Sequence, residues 1–119
     1  MANTTITPTA LVYSTASADL PVTAGTAIVA ANTFLVPYPV EGKLLIVINN
    51  TTAGAKNITI KAGDSEFIES VKGDYVIAFA QDDVRFLVPE SSRFKNADGT
   101  VHITFESSTT GFVQAFSLP

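Results

Sequence analysis

The sequence predicts an all-β protein, a single-domain antiparallel β-sandwich of eight to ten strands with a jelly-roll or Ig-like topology. Apolar and polar residues alternate with a period of two in run after run, whereas the period of a helix is nearly absent. Clusters of Gly, Pro, Asn and Asp interrupt these runs about every ten residues, the spacing of a sandwich or barrel. A chain of 119 residues has the length of one domain. We expect residues 1–119 to form it, with 1–9 as a possible N-terminal arm.

The N-terminal part of the chain has the weakest strand patterns. Residues 4–13 are only weakly β-like, and Pro8 favours an edge strand or a free arm because proline donates no hydrogen bond to a ladder. Residues 26–36 predict one or two short strands, closed by "VPYPVEG". In that segment Tyr38 stands between two prolines, which makes it a candidate contact residue, although such segments equally cap strands.

The clearest strand pattern is central. "KLLIVINN" is apolar without a break from Leu44 to Ile48, which is typical of a strand buried on both faces. In "NITIK" the isoleucines share one face and the polar side chains the other. Residues 62–74 form a polar connection, with one helical turn or a short strand around Phe67 and Ile68.

Three further patterns predict strands in the second half of the chain. "YVIAFA" is apolar on both faces, which predicts an interior strand with Tyr75 buried. In "VRFLVP" we expect Val84, Phe86 and Val88 to point inward. The final "GFVQAFSLP" ends on an apolar run, so we expect the C-terminus to be tied into a sheet or an interface.

The stretch "SSRFKNADGTVHITF", residues 91–105, predicts a β-hairpin because Asp98-Gly99 is a strong turn dipeptide between two alternating runs. A four-residue loop pairs Arg93 with His102, and a two-residue turn pairs Lys95 with His102. The faces are the same in both registers, since the registers differ by two residues. Either way the three basic side chains cluster on the outer face.

Arg93, Lys95 and His102, together with Tyr38, are therefore the candidate partner contacts. Arg93 and Lys95 would dock on an acidic partner surface and guide orientation more than affinity, and reversing their charges would leave the melting temperature nearly unchanged. The alternative is a solvated face whose charges the neighbouring carboxylates offset.

Composition argues against several function classes. The chain has no cysteine, which excludes disulfides and Cys-based zinc sites, and a single histidine is too few for the usual zinc site. A net charge of −4 disfavours nucleic acid, and the longest apolar segment falls short of a membrane span. No catalytic triad, nucleophile elbow, phosphate loop or EF-hand spacing stands out. We expect no enzyme activity, no cofactor, no metal, and neither nucleic acid nor membrane as a partner.

Six short segments carry a family resemblance over Val40 to Pro119, about two thirds of the chain. They are Asn49-Asn50-Thr51-Thr52-Ala53, Lys61-Ala62-Gly63-Asp64, Ser92-Arg93-Phe94, Asp98-Gly99, Thr110-Gly111 and Ala115-Phe116-Ser117-Leu118-Pro119. Together they resemble a group of small virion structural proteins of tailed bacteriophages, which are similar to head-decoration proteins. The segments are core positions and turns rather than chemical motifs, so the resemblance carries over no catalytic residue.

The resemblance implies a non-enzymatic capsid decoration or cement protein that binds the outer surface of the assembled head and stabilises it. Its partner would be the major capsid protein lattice, and it would reside on the virion after synthesis in the host cytoplasm. A tail or neck virion component is the nearest alternative, and a carbohydrate-binding β-sandwich module is an alternative from a different class. The apolar composition with few charges favours buried intersubunit area, hence a homotrimer.

Overall fold

The computed structural model describes residues 3–39, 43–63 and 73–119. It confirms an all-β sandwich: ten strands in the described residues form two five-stranded sheets. The strands are β1 (Asn3–Thr5), β2 (Thr9–Ala10), β3 (Thr26–Ala27), β4 (Thr33–Pro37), β5 (Lys43–Asn50), β6 (Lys56–Ile60), β7 (Tyr75–Phe79), β8 (Val84–Leu87), β9 (Thr100–Phe105) and β10 (Gly111–Leu118). A 3-10 turn, Val22–Ala24, and one helical turn, α1 (Ser91–Phe94), accompany them. The expected element around Phe67 and Ile68 lies outside the described residues.

The first sheet has the order β1-β4-β9-β6-β7, and the second has the order β2-β10-β5-β8 with β3 also paired to β10. Both sheets are mixed, because β1 runs parallel to β4 and β2 runs parallel to β10, while the remaining pairs are antiparallel. The apolar run from Leu44 to Ile48 occupies the interior strand β5, as its pattern predicts.

The N-terminal segment contacts both sheets. β1 joins the first sheet beside β4, and β2 joins the second beside β10. Between them Ile6 is buried, and its amide donates to the carbonyl of Leu35. Residues 3–5 and 9, part of the segment expected as a possible arm, are therefore paired in strands.

The core lies between the sheets and is built from alternate residues of the interior strands. Isoleucine and valine predominate, as suits a pleated buried surface. Its fully buried side chains include Phe34, Val36, Leu44, Ile46, Ile58, Ile60, Phe79, Val101, Ile103 and Val113. Phe34 and Phe105 meet edge to face with ring centroids 4.9 Å apart.

The predicted inward face of β8 is wrong. Phe86 is 69% exposed and Val88 is 52% exposed. The register explains this, because Arg85 lies opposite Ile48 and Leu87 lies opposite Ile46, both of which point into the core. Opposite residues share a face, so Arg85 and Leu87 face the core side and their neighbours face outward.

An inward arginine is tolerated here because β8 is an edge strand at the open side of the sandwich. The Arg85 guanidinium lies 5.5 Å from the Phe79 ring centroid and 3.3 Å from a carboxylate oxygen of Asp83. The predicted burial of Tyr75 and the predicted interior position of its strand are also wrong. Tyr75 begins β7, the edge strand of the first sheet, and is 43% exposed.

The predicted hairpin is wrong in its first half. Residues 91–94 form the helical turn α1, and β9 pairs with β4 and β6 instead. The turn itself is present: the Gly99 amide donates to the Asn96 carbonyl at 2.9 Å, with Gly99 at φ 84°. The helical turn places Phe94 in the core, where it is 4% exposed. The predicted burial of Phe94 is therefore confirmed, although its backbone is not a strand.

A buried amide ties the sheets together where the chain crosses from β7 to β8. Asn50 is fully buried at the end of β5. Its Nδ2 donates to the carbonyls of Phe79 at 3.3 Å and Ala80 at 3.1 Å, and its Oδ1 accepts from the Thr52 amide at 3.1 Å. One side chain therefore satisfies polar groups of three different segments.

We predict that Asn50→Ala lowers the free energy of unfolding by about 2–3 kcal/mol, because it leaves two buried carbonyls and an amide without their hydrogen-bond partner. A loss of this size lowers the melting temperature by about 10 °C or more. Thermal unfolding followed by circular dichroism measures it. Asn57→Ala, at an exposed position of β6, is the control and should change the free energy by less than about 0.5 kcal/mol. Equal effects of the two substitutions would contradict the stabilising role of the Asn50 side chain.

Candidate functional site

The four candidate contact residues lie at one end of the sandwich, where β4 and β6 end and β9 begins. We call Tyr38, Arg93, Lys95 and His102 the basic corner. The structure brings Tyr38 and Lys95 together, with the ammonium nitrogen 5.7 Å from the ring centroid. All four residues are half-buried.

Tyr38 is fixed at both its backbone and its hydroxyl. Its amide donates to the Gly99 carbonyl at 2.8 Å, which attaches the end of β4 to the turn before β9. Its hydroxyl donates to the Pro89 carbonyl at 3.2 Å, and burial raises the pKa of Tyr38. The ring is therefore held as a fixed platform beneath the Lys95 ammonium.

Arg93 is engaged within the protein. Its guanidinium carbon lies 4.8 Å from the Phe94 ring centroid and 5.8 Å from the Tyr75 ring centroid. Its Nε donates to the Gly73 carbonyl at 3.2 Å. The α1 turn, rather than the predicted strand, gives Arg93 this position, so the side chain braces α1 against the start of β7.

Backbone packing behind Arg93 and Lys95 is close. The Gly63 amide donates to the Arg93 carbonyl at 2.7 Å. A Cβ at position 63 would collide with the Lys95 carbonyl oxygen. Only glycine allows this approach, which explains the glycine in one of the segments that carry the family resemblance.

A polar chain links Asp98, Thr100 and His102. The Thr100 hydroxyl donates to Asp98 at 2.6 Å, and the His102 Nε2 lies 3.0 Å from the same hydroxyl oxygen. A hydroxyl has one proton to give. Because that proton goes to the carboxylate, the His102 Nε2 carries a hydrogen and donates to Thr100.

The basic corner borders a polar sheet surface, which we call the threonine face. It is the outer face of the first sheet, where Thr104 lies opposite Thr59 and His102 lies opposite Leu35. The alternation of β4 and β9 adds Thr33 and Thr100 to this face. It carries the hydroxyl groups of these four threonines together with the apolar side chains of Leu35 and Val76, since Val76 lies opposite Thr59.

The outer face of the second sheet is different in kind, and we call it the apolar face. Phe86 lies opposite Val47, and on the other side of β5 the residues Leu45 and Phe116 are paired. Near β10 the Gln114 side chain donates to the Pro21 carbonyl at 2.8 Å, so the segment before β3 covers that part of the face. The part near β8 is open, as the exposure of Phe86 demonstrates.

Acidic side chains near both ends of the sandwich are held in their charged form. The Lys61 ammonium, 2.8 Å from Asp74, lowers the pKa of that carboxyl, and the Ala62 amide adds to the effect. Hydrogen bonds from Thr100 lower the pKa of Asp98. The Ala80 amide and then Arg85 lower the pKa of Asp83.

Other features do not suggest a reaction centre. A cavity of about 110 Å³ opens beside β10 between β2 and β3, lined by residues such as Ile6, Leu20 and Val113. Within the described ranges, no group of three or more His, Cys, Asp or Glu residues could hold a metal ion. The helices in the part of the chain that the structure describes are too short and too polar to cross a membrane.

No protein-family model, curated protein sequence or solved structure matches the chain. Sequence reasoning grouped Arg93, Lys95 and His102 on one outer face and treated Tyr38 separately. It missed the contact of Lys95 with Tyr38 and the bracing role of Arg93. It also missed the exposed side chains of β8. The alternation of "VRFLVP" is compatible with either face of the strand pointing to the core, since Leu87 is as apolar as Phe86. Only the register with β5 decides which face does.

The contacts of Arg93 change one expectation about the basic corner. We predict that Arg93→Glu lowers the free energy of unfolding by about 1–2 kcal/mol, because it removes a charged hydrogen bond and two ring contacts. Lys95→Glu should cost less, about 0.5 kcal/mol, since it removes one ring contact, that with Tyr38. Urea unfolding of both variants measures the difference. Equal stability of the two would show that Arg93 contributes nothing by its bracing contacts.

The three depressed carboxyl pKa values predict a loss of stability in acid. Each pKa lies below its ordinary value of 3.8 in the folded protein. Such groups stabilise the fold above the unfolded pKa, and the contribution is lost as the pH falls through the lower folded value. The melting temperature should therefore fall as the pH drops below about 4.

The acid loss is tested with the triple variant Asp74→Asn, Asp83→Asn and Asp98→Asn. Its melting temperature should be lower than that of the wild type at neutral pH and should change less in acid. Asp19→Asn, at an exposed position in the loop before β3, is the control and should keep the wild-type profile. A triple variant with an unchanged pH profile would contradict the assignment.

Proposed function

We propose that this protein is a non-enzymatic decoration protein that binds the outer surface of an assembled bacteriophage head and stabilises it. The proposal starts from the resemblance to small virion structural proteins. Several of the residues that carry the resemblance set the fold: Asn50 joins the sheets, Gly63 admits the Lys95 carbonyl, and Gly99 makes the turn before β9.

The observation that carries the proposal is the threonine face with the basic corner at its end. The face combines hydroxyl groups with few charged side chains, and Lys95 with its Tyr38 platform stands beside it. A surface of this kind suits many modest contacts with a protein lattice, repeated over symmetric copies. Lys95 would guide orientation against an acidic patch of the major capsid protein.

Stabilisation of the head follows from linkage. A protein that binds the assembled lattice and not the free capsid subunits makes the loss of subunits costlier by its own binding free energy. No bond-making step is required of the decoration protein. Its residence on the virion, after synthesis in the host cytoplasm, belongs to the same proposal.

The test is reconstitution on phage heads that lack the protein. We expect saturable, symmetric occupancy in cryo-electron microscopy and a higher melting temperature of the filled heads. Lys95→Glu should weaken binding by about tenfold, the equivalent of one lost charge contact of about 1.4 kcal/mol. Lys43→Glu, at an exposed position at the start of β5 in the second sheet, makes the same change in net charge and should bind normally.

Two alternatives give different outcomes. Binding to tails or necks, with bare heads left unoccupied, would assign the protein to another part of the virion. Saturable binding on a glycan array would favour a carbohydrate-binding module. Tyr75 is exposed enough to stack on a sugar, but the Arg93 guanidinium already lies against its ring.

A further inference from the structure

Exposed apolar side chains are concentrated on one side of the sandwich. Among the described residues, five of the eight large apolar side chains that are exposed belong to β7, to β8 or to the residue that follows β8. They are Tyr75, Val76, Val84, Phe86 and Val88. The two strands lie across the sandwich from each other, as the contact of Arg85 with the Phe79 ring shows. Val76 lies opposite Thr59 on the outer face of the first sheet, whereas Val84, Phe86 and Val88 share the outer face of the second. The exposed apolar group on β8 is the kind of surface that marks an interaction site.

The same side presents an open strand edge. β8 pairs with β5, and no strand of the described residues pairs with its other edge. The Asn50 amide donates to the Asp83 carbonyl at 3.0 Å, and the Thr51 amide donates across to the Thr110 carbonyl at 3.0 Å. Even-numbered residues of β5 therefore bond towards β8 and odd-numbered ones towards β10.

This parity fixes which groups of β8 are free for a partner strand. Arg85 and Leu87 lie opposite even-numbered residues of β5, so their backbone N–H and C=O groups form hydrogen bonds with β5. Val84 and Phe86 direct their N–H and C=O groups to the open edge. The residues that expose apolar side chains are thus the ones that offer backbone hydrogen bonds.

We propose that a second copy of this chain occupies the edge, with β8 pairing antiparallel to β8 of the other copy about a two-fold axis at Phe86. In the sequence "VRFLV", every second residue is Val84, Phe86 and Val88, and this order of residue types is the same from either end. The axis therefore places Val84 opposite Val88 of the second copy and Phe86 opposite Phe86. A two-fold interface requires such self-complementarity.

Charge also favours this register. A net charge of −4 on each copy opposes self-association at long range, so a contact between copies is best made where it brings no further like charges together. The outward side chains of β8 are uncharged. An axis at Arg85 would set two guanidinium groups directly opposite each other, which is unfavourable. The axis at Phe86 sets Arg85 opposite Leu87.

The pairing predicts a reversible dimer, whereas composition alone predicts a trimer. The outward apolar side chains of this edge are only Val84, Phe86 and Val88, far fewer than the roughly 20–30 residues per partner of a standard interface. Dimerisation does not depend on what the protein binds, so it can fail or succeed independently of capsid binding.

Sedimentation velocity over a range of concentrations tests the pairing. The wild type should shift, as concentration rises, to a species of twice the 12.5 kDa chain mass. Phe86→Ser should raise the dimer dissociation constant at least about tenfold without lowering the melting temperature, because the side chain is exposed. Tyr13→Ser removes an aromatic that is 77% exposed elsewhere and should leave the dimer intact.

Disulfide trapping tests the register, since the chain has no cysteine of its own. Opposite residues in a hydrogen-bonded antiparallel pair have Cα atoms about 5.5 Å apart, within disulfide reach. Phe86→Cys should therefore form a covalent dimer on mild oxidation. Val84→Cys mixed with Val88→Cys should also crosslink, whereas Val84→Cys alone should not, because its two copies lie about 13 Å apart along the ladder.

A shift to dimer that Phe86→Ser weakens, with the predicted crosslinks, supports the two-fold pairing. A wild type that stays monomeric at all concentrations, a trimer that Phe86→Ser leaves unchanged, or a Tyr13→Cys variant that crosslinks as well as Phe86→Cys would overturn it.

Discussion

The structure depends on one buried amide at the crossing between the two sheets. Asn50 is fully enclosed, yet its side chain satisfies the carbonyls of Phe79 and Ala80 and the amide of Thr52. Buried polar groups without partners are costly, so these hydrogen bonds favour the observed placement of the β7–β8 connection. The bond of the Asn50 amide to Asp83 then sets the register of β8 against β5.

Register decides what the molecule shows to its surroundings. A shift of one residue turns every side chain of a strand to the opposite face. With the observed register, Arg85 closes the open side of the sandwich against Asp83 and Phe79, and Phe86 stands outward. The open apolar edge of the second sheet is therefore a consequence of the same constraint that joins the sheets.

The two outer faces of the sandwich have different chemistry, and each suits a different kind of contact. The first sheet presents hydroxyl groups with Lys95 and Tyr38 at its end, a surface for many weak polar contacts. The second presents phenylalanine and valine beside an edge of β8 with which no strand of the described residues pairs, a surface suited to the proposed self-association. A decoration protein would use one face for the lattice and the other for its neighbour, so that pairing between copies strengthens attachment by avidity.

The sequence by itself determined the all-β class, the interior position of β5, the Asp98-Gly99 turn and the burial of Phe94, because each depends on local pattern or on the need to hide an apolar side chain. It grouped Arg93, Lys95 and His102, since they are close along the chain, but it did not bring Tyr38 to them. Only the tertiary structure decided that residues 91–94 form a helical turn, that Arg93 braces Tyr75, and that Phe86 faces outward. These features depend on which distant strand lies alongside, and a period-two pattern is identical whichever of its two faces meets the core.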